Sequence, residues 1–256
     1  MMKNRPPFAT SLHPNYESMS DRATEWFAAE IRHTPNALLG LATGGSPARM
    51  YERLGGRRRQ EPDLFRRLRV LKTDEWGGLA MDDPGTSEVY LQQKVVGPWG
   101  ISPDRYLGWQ TRPADADAEC GRVRDWLSRN GPIDVCVLGL GVNGHLLLNE
   151  PEDHLKPGPH IAELAESSKS HGMLQAAHTA PQFGLTIGID DILRARKILL
   201  LVSGASKAEP LRRLLEPCVT THFPASFLWL HCSVTLMCDI EAASLTPDLQ
   251  ESGFQH

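Results

Sequence analysis

The sequence predicts a single α/β domain with a mostly parallel central sheet that helices cover on both faces. Short apolar runs alternate with amphipathic segments along all 256 residues. The apolar runs are continuous, as in strands that are buried on both faces. No internal repeat, low-complexity tract or linker divides the chain, and its length suffices for one well-buried core.

The elements of the first half follow from their periodicity. Apolar residues at helical spacing predict a helix from Tyr16 to Ile31, and the apolar run 37–42 predicts a strand. Pro47 is expected to open the next helix, where its missing N–H costs nothing. The run 68–73 predicts a second strand, and residues 88–96 predict a helix.

The second half repeats this alternation. Its predicted elements are helices near 118–130 and 207–215 and strands at 133–138, 184–189, 197–203, 226–231 and 234–238. The domain is therefore predicted over residues 16–241. Residues 1–15 contain three prolines and no apolar signal core, so we expect a loose arm. Residues 242–256 lose apolar periodicity and are expected to be a peripheral tail.

Composition excludes several classes of protein. Hydrophobic residues make up 41% and charged residues 23% of the chain, which is ordinary for a globular protein. The net charge of -4 argues against a polyanion-binding surface, so no nucleic-acid partner is expected. No apolar stretch reaches the ~20 residues that span a membrane, so no membrane association is expected. Five cysteines without CxxC spacing are typical of free thiols in a reducing cytoplasm, which is the predicted location.

In an open parallel sheet, ligands bind beyond the carboxyl ends of the strands. The first loop of this kind is Thr43-Gly44-Gly45-Ser46, which precedes Pro47. Adjacent glycines admit a ligand close to backbone N–H groups, and a helix N-terminus favours an anion, so the loop predicts a phosphate site. The alternative is a tight turn in which Ser46 is an ordinary N-cap. The loop is neither a Walker A nor a GxGxxG motif, so no nucleotide cofactor is expected.

Asp74 and Glu75 follow the second predicted strand. Adjacent side chains at a strand end point in opposite directions, so one of the two carboxylates is expected to face a given cleft. A carboxylate in that position can act as a general base that removes a proton next to a carbonyl. A solvated acidic loop is the alternative, which these residues alone leave open.

The segment Gly139 to Pro151 is the most informative. His145 comes just after a buried strand, which suits a proton-transfer group near neutral pH. Glu150 is five residues further on, and a carboxylate near an imidazole can fix its tautomer and raise its basicity. Asn143 and Asn149 lie close to both in the sequence, which favours a functional role for His145 over a structural one.

Lys207 follows the strand predicted at 197–203, again at a strand-to-helix junction. Its ammonium group can provide a point charge for a phosphate; an ordinary surface lysine is the alternative.

The spacing of the histidines and serines argues against two other chemistries, metal binding and serine hydrolysis. The histidines show no HExxH or similar spacing, so no metal is expected, and no serine stands in a GxSxG elbow.

Four motifs, in this order and at these spacings, resemble the glucosamine-6-phosphate deaminase and 6-phosphogluconolactonase superfamily: LATGGSP, TDEW, LGLGVNGHLLLNEP and SGASK. The form NGHLLLNEP is similar to the deaminase branch. The segments PGTSEVYLQQKVVGP, HLKPGPHI, DDIL and PASFLWLH resemble the galactosamine-6-phosphate deaminase/isomerases of bacterial amino-sugar catabolism. The resemblance covers residues 15–240 and implies a Rossmann-like three-layer α/β/α sandwich.

The resemblance also implies an activity, the conversion of an amino-sugar 6-phosphate to a ketose 6-phosphate with release of ammonia and without a metal or cofactor. Asp74 matches the base that moves the C2 proton to C1, His145 the group that opens the sugar ring, and Glu150 its supporting carboxylate. The loop from Thr43 to Ser46 and Lys207 match the binding site for the 6-phosphate.

The expected substrate and partner is a small-molecule sugar phosphate, with galactosamine 6-phosphate preferred and tagatose 6-phosphate as the product. Glucosamine 6-phosphate is the first alternative. A lactonase-type sugar-phosphate hydrolase and a non-catalytic sugar-phosphate sensor are the others. The sequence leaves the assembly state open, and a homo-oligomer is compatible with it.

Two positions depart from the family pattern. Asn143 stands where many deaminases have aspartate, and an amide can orient His145 by a hydrogen bond but cannot stabilise an imidazolium by charge. The stretch 167–175 contains Lys169 and His171 but lacks the arginine that joins the phosphate site of well-studied deaminases. We therefore expect the phosphate site to rest mainly on Lys207 and the loop from Thr43 to Ser46.

Overall fold

The computed structural model of the protein describes residues 7–251. Its strands are β1 Ala9–His13, β2 Leu38–Leu41, β3 Arg69–Lys72, β4 Asp74–Gly77, β5 Tyr106–Leu107, β6 Val135–Gly139, β7 His160–Ala162, β8 Phe183–Thr186, β9 Lys197–Val202 and β10 Val234–Asp239. Its helices are α1 Tyr16–His33, α2 Gly45–Arg57, α3 Ser87–Leu91, α4 Gly97–Trp99, α5 Ala116–Asn130, α6 Glu166–Lys169, α7 Ile189–Leu193, α8 Ala208–Leu214 and α9 Pro247–Glu251.

Within residues 7–251, seven of these strands form a central sheet in the order β1-β10-β9-β6-β2-β3-β5. All the neighbouring pairs in this sheet are parallel. A smaller sheet contains β4, β8 and β7, paired antiparallel. The predicted fold class, an α/β sandwich with a mostly parallel central sheet, is confirmed.

The central strands are apolar throughout because each residue faces one of two cores. In β9, Ile198, Leu200 and Val202 pack into one core cluster, and Leu199 and Leu201 pack into the other. The first cluster also contains apolar residues of α5, α7 and α8, and the second contains those of α1 and α2. Alternation of side chains across a strand therefore divides one apolar run between the two layers of helices.

Most predicted elements are present in the structure. The helix predicted from Tyr16 is α1, and the strands predicted at 37–42, 68–73, 133–138, 197–203 and 234–238 are β2, β3, β6, β9 and β10. Residues 88–96 are helical, with a π-helical turn at Gln92–Val96 that joins α3 to α4. Helix α2 begins at Gly45, two residues before Pro47, and the proline still lies in the first turn, whose N–H groups have no partner within the helix.

The prediction of a loose arm over residues 1–15 is wrong for residues 9–13. These residues form the edge strand β1, which pairs with β10 from Ala9↔Thr235 to His13↔Asp239. Backbone pairing at an open sheet edge needs little apolar patterning, which is why the composition of this segment did not predict it. In the tail predicted over residues 242–256, Ala242 and Ala243 are fully buried. Residues 1–6 and 252–256 lie outside the described residues.

Two further predictions from apolar runs are corrected by the structure. The strand predicted at 226–231 lies in a 3₁₀ helix, Pro224–Leu230, with the proline in its first turn. A short apolar run fits a buried helix as well as a strand. The strand predicted at 184–189 is β8, but it belongs to the small sheet and pairs antiparallel with Asp74–Gly77, for which the sequence predicted no separate strand. None of the helices within residues 7–251 has the length and apolar character needed to cross a membrane.

A buried ion network fixes the point at which the chain leaves the central sheet. The Lys72 side chain is fully buried, and its Nζ lies 2.6 Å from Glu75 Oε2 and 2.6 Å from Glu88 Oε2. It also donates to the Trp109 carbonyl at 3.1 Å. Glu75 accepts hydrogen bonds from the backbone N–H groups of Ser87 and Glu88, so the network ties the start of β4 to the first turn of α3.

We predict that Lys72→Met lowers the free energy of unfolding by about 3–5 kcal/mol, because it leaves the buried Glu75 carboxylate without its cation. The matched control is Lys197→Met, which removes a 41% exposed lysine from its 2.6 Å ion pair with Glu30. The Lys197→Met substitution should lower the free energy of unfolding by no more than about 1 kcal/mol. Urea unfolding of both variants measures the difference. Equal losses would mean that the buried network does not dominate local stability.

Candidate active site

A cleft of about 740 Å³ opens at the carboxyl ends of the central strands. The loops after β2, β6 and β9 line it, together with β4, part of α3, Ser167 and residues 170–173. Seven of the predicted site residues line this cleft: Thr43, Gly44, Gly45, Ser46, Asp74, His145 and Lys207. Convergence of the strand ends is what brings these distant sequence positions together.

The glycine loop leads into the N-terminus of α2. Gly44 has φ of 113°, a conformation that L side chains rarely adopt, and Gly45 is the first helical residue. The hydroxyl of Tyr90 donates to the Gly44 carbonyl at 2.7 Å, and that of Tyr16 donates to the Gly45 carbonyl at 2.6 Å. Both carbonyls are thus held by protein donors, while the unpaired N–H groups of the first helical turn favour an anion.

Hydroxyl groups lie beside this loop. Thr43 Oγ1 is 3.3 Å from Ser87 Oγ, and Ser46 Oγ is 3.4 Å from Ser203 Oγ. Ser203 also lines the cleft. The hydroxyls of Thr43, Ser46 and Ser203 can donate to an acceptor in the cleft, because each has only a long hydrogen bond within the protein.

Lys207 lies in a single 3₁₀ turn, Ala205–Lys207, that follows β9. The turn begins at Gly204, whose φ is 88° and whose N–H donates to the Asp239 carboxylate at 3.1 Å. Burial lowers the pKa of the Lys207 ammonium group. Within residues 7–251 this group has neither a carboxylate nor a hydrogen-bond acceptor as partner. It is therefore a cation that is available to an anion in the cleft.

Asp74 and Glu75 point to opposite sides of β4, as predicted. The Asp74 side chain lines the cleft with a relative exposure of 7%, whereas Glu75 is directed toward Lys72. Burial raises the pKa of Asp74 to about 6, while a 3.0 Å hydrogen bond from Thr73 and the nearby His145 partly oppose this rise. The carboxyl group can therefore both accept and release a proton near neutral pH.

His145 and Glu150 form a pair in which the imidazole Nδ1 lies 3.4 Å from Glu150 Oε2. Asn143 connects them, since its amide donates to Glu150 Oε2 at 2.8 Å and its carbonyl oxygen accepts from the His145 backbone N–H at 3.1 Å. Ser168 Oγ donates to Glu150 Oε1. Burial would raise the pKa of Glu150, but hydrogen bonds from His145, Ser168 and Asn143 hold it below its ordinary value. The group beside His145 is therefore a carboxylate anion.

The segment around His145 is tightly constrained. A Cβ atom on Gly141 would lie 2.4 Å from His145 Cδ2, so only glycine leaves room for the imidazole ring. Leu147 has φ of 57°, the left-handed conformation that non-glycine residues rarely adopt, and it also lines the cleft. Strained backbone of this kind is concentrated at functional sites.

Comparison with known proteins identifies the family. Residues 14–237 match the model described as glucosamine-6-phosphate isomerases/6-phosphogluconolactonase. The AgaI protein of Escherichia coli K12, which carries the name of a deaminase, is 43% identical over 85% of this chain and 86% of its own length. The chain belongs to this family.

Two glucosamine-6-phosphate deaminases agree with this assignment, and a more distant enzyme has the same fold. Glucosamine-6-phosphate deaminase 1 of Bacillus subtilis is 37% identical over 91% of this chain and 97% of its own length. The structure of a monomeric glucosamine-6-phosphate deaminase is similar at a TM-score of 0.88 and 36% identity, over 93% of this chain and all of that one. The 6-phosphogluconolactonase of Trypanosoma brucei, at 20% identity and a TM-score of 0.76 over 93% of this chain and 98% of that one, shares the fold.

Several residues of the cleft were not predicted from the sequence. Trp76, Tyr90 and His171 line it, and Ser168 holds Glu150 from α6. Contacts between segments that are distant in the sequence place these residues in the cleft, so no local motif predicted them. Ser168 lies in a helix of a single turn. Asn149, expected to favour a functional site, instead donates to the carbonyls of Leu146 and Ile187 and so clamps the loop. Within residues 7–251 no group of three or more His, Cys, Asp or Glu side chains could hold a metal ion.

The contact between Asn143 and Glu150 predicts how Asn143→Asp behaves in this family member. The variant would place two carboxylates about 3 Å apart, so one of them must hold a proton. We expect the free energy of unfolding to fall by about 1–3 kcal/mol at pH 8 and to recover by pH 5, where the pair shares a proton. Asn143→Ala loses both hydrogen bonds of the amide, to Glu150 and from the His145 N–H, without adding charge, and it should lose stability equally at both pH values. A pH-independent loss in the aspartate variant would contradict this account.

Proposed function

We propose that this enzyme isomerises and deaminates galactosamine 6-phosphate to tagatose 6-phosphate and ammonia, with Lys207, Asp74 and His145 as its principal groups. Its enzyme class, an amino-sugar-phosphate deaminase/isomerase, follows from the family. One observation carries the proposal. A single cleft combines a helix N-terminus and an unpaired ammonium group at one side with a proton-transferring carboxyl group and a histidine–carboxylate pair at the other.

In this proposal the 6-phosphate binds the loop from Thr43 to Ser46 and the Lys207 ammonium group. The phosphate accepts hydrogen bonds from the first N–H groups of α2 and gains from the positive end of the helix. Lys207 supplies the formal charge, which in a buried site contributes about 1.5–3 kcal/mol through a charge-assisted hydrogen bond. The sugar then extends toward Asp74 and His145.

His145 opens the sugar ring in this scheme. It takes the proton of the anomeric hydroxyl and returns a proton to the ring oxygen, so the cyclic form becomes the aldehyde with no net gain or loss. Glu150 beside Nδ1 favours the tautomer in which Nε2 is the reacting nitrogen, and it stabilises the imidazolium formed during the transfer. The negative charge of Glu150 also provides the stabilisation of the His145 imidazolium that the neutral amide of Asn143 cannot provide.

Asp74 then moves one proton. Its carboxylate removes the hydrogen at C2 while the ammonium group of the substrate gives a proton to O1, which produces an enolamine with a hydroxyl at C1. The resulting carboxylic acid then returns the C2 proton to C1. The product is a ketimine at C2, and addition of water followed by departure of the amine gives the ketose 6-phosphate and ammonia. A carboxyl group whose pKa is raised to about 6 suits both halves of this transfer, since it is a stronger base than an exposed aspartate and is still readily deprotonated at neutral pH.

The choice of galactosamine over glucosamine 6-phosphate is supported by where two galactosamine-like segments lie. PGTSEVYLQQ contains Tyr90, whose hydroxyl bonds the Gly44 carbonyl in the phosphate loop. PASFLWLH contains Ala225, whose N–H donates to the Gly144 carbonyl at 2.8 Å, directly before His145. Both segments therefore contact loops that line the cleft.

We predict that Asp74→Asn lowers kcat by about 10²–10⁴ and abolishes exchange of the C2 proton with solvent, because the amide is not a base. In the unchanged enzyme, activity should fall as the pH drops through about 6, where the carboxyl group takes up a proton. Steady-state kinetics and proton exchange followed by NMR provide the measurements.

Asp191→Asn is the matched control for this variant. Burial also raises the pKa of Asp191 to about 6, but its side chain holds the Gly188 N–H at 3.0 Å and takes no part in lining the cleft. We expect its turnover and proton exchange to stay close to those of the unchanged enzyme. Retention of exchange in the Asp74 variant would remove Asp74 from the role of base.

The substrate prediction concerns the two epimers at C4. A site that hydrogen-bonds one hydroxyl configuration leaves buried polar groups unpaired with the other, at about 1–3 kcal/mol per group. We therefore expect kcat/KM for galactosamine 6-phosphate to exceed that for glucosamine 6-phosphate by about 10- to 100-fold. Ammonia release from both sugars under one set of conditions decides this. Preference for glucosamine 6-phosphate would refute the choice of substrate alone, and no ammonia from either would refute the activity.

A further inference from the structure

His171 lies over the phosphate loop. Its ring lines the cleft, and its Cε1 and Nε2 atoms are 3.8 Å from the position that a Cβ on Gly44 would occupy. On its other side the ring lies against Trp76, with 5.9 Å between ring centroids and an interplanar angle of 36°. The imidazole is therefore held between the loop and an aromatic wall, with its Nε2 edge toward the loop.

The tautomer of His171 follows from its own hydrogen bond. The Met173 backbone N–H donates to Nδ1 at 3.3 Å, so in the neutral ring Nδ1 carries the lone pair and Nε2 carries the proton. Within residues 7–251, no acceptor lies within hydrogen-bond distance of Nε2. Burial lowers the pKa of His171, and the neighbouring His145 and Lys207 lower it further. The ring is thus a neutral N–H donor rather than a second cation.

We propose that His171 is a substrate-binding residue whose Nε2–H donates a hydrogen bond to the 6-phosphate, at the place where the stretch 167–175 lacks an arginine. The inference rests on the proposed function, because it takes the phosphate to bind the loop at Gly44. The other basic residue of the stretch does not compete for this role. The Lys169 side chain is 46% exposed and ion-paired with Glu166 at 2.7 Å, and the cleft lining does not include it.

This assignment has a chemical consequence. Within residues 7–251, the phosphate site before the ligand binds contains one formal cation, Lys207, and a neutral donor in place of a guanidinium group. The neutral ring costs less to bury beside Lys207 than a second positive charge would, because like charges in a site of low dielectric repel each other. His171 therefore adds direction to the binding of the phosphate while Lys207 adds charge.

Two substitutions separate the donor from the bulk of the ring. His171→Phe keeps a planar ring against Trp76 and removes the N–H, whereas His171→Gln places an amide N–H at a similar reach. We expect His171→Phe to raise the Kd of inorganic phosphate, and the KM for the 6-phosphate, by about 10- to 100-fold with kcat changed much less. His171→Gln should restore most of the affinity. Lys169→Ala is the control and should leave both values unchanged.

Binding of inorganic phosphate, measured by calorimetry, does not depend on turnover. Failure of the inference is thus distinguishable from failure of the proposed activity, which would appear as absence of ammonia. An unchanged Kd in His171→Phe would overturn the inference. A loss of affinity confined to the glutamine variant would do so too, since it would make the role of His171 one of packing against Trp76.

NMR of the unchanged enzyme tests the same inference without a substitution, so it can be used if a variant does not fold. The ¹⁵N shifts of the His171 ring should report the Nε2–H tautomer, and saturation with inorganic phosphate should move the Nε2 proton downfield. A ring protonated on Nδ1, or an Nε2 signal that phosphate leaves in place, would refute the assignment.

Discussion

The buried ammonium group of Lys72 lies at the point where the chain passes from the central sheet to the small one, and much of the cleft depends on it. It binds Glu75, which in turn accepts N–H groups at the start of α3. Thr73 is the one residue between β3 and β4. Because neighbouring side chains of a strand point to opposite faces, Asp74 faces the cleft when Glu75 faces Lys72. The orientation of the proposed base is thus set by a charge pair on the other side of its strand.

Burial favours the neutral form of the titratable groups in the cleft. It raises the pKa of Asp74 and lowers those of Lys207 and His171. Glu150 differs, because its three hydrogen-bond donors overcome the effect of burial and keep it ionised. A phosphate that enters the cleft favours the charged form of Lys207, since an opposite charge at close range offsets desolvation. Anion binding and the protonation state of the cleft are therefore coupled.

The central strands and the helices between them could be predicted from the sequence, because continuous apolar runs alternate with amphipathic segments. The loops that follow these strands could be predicted as well. The site residues of these loops converge because parallel strands share one carboxyl edge. Other elements of the fold depend on long-range contacts that leave no distinctive pattern in the local sequence. Strand β1 adds to a sheet edge by backbone hydrogen bonds, and the helical turn at 224–230 has the same apolar composition as a buried strand. The contribution of Ser168 and His171 depends on how residues 160–182 fold back across the cleft.

The motif GVNGHLLLNE shows why a short segment could predict function when its neighbours could not. Gly141 leaves the space that the His145 ring occupies, and Gly144 has φ of 88° with Phe223 packed where a Cβ would lie. Asn149 fastens the far end to two carbonyls. Leu147 is thereby held in a left-handed conformation that an isolated chain would avoid. Gly141 and Asn143 thus meet a steric and a hydrogen-bonding requirement of the histidine–carboxylate pair, while Gly144 and Asn149 fix the loop that carries it. Its chemistry is therefore encoded locally, whereas the donor at His171 is encoded by the fold.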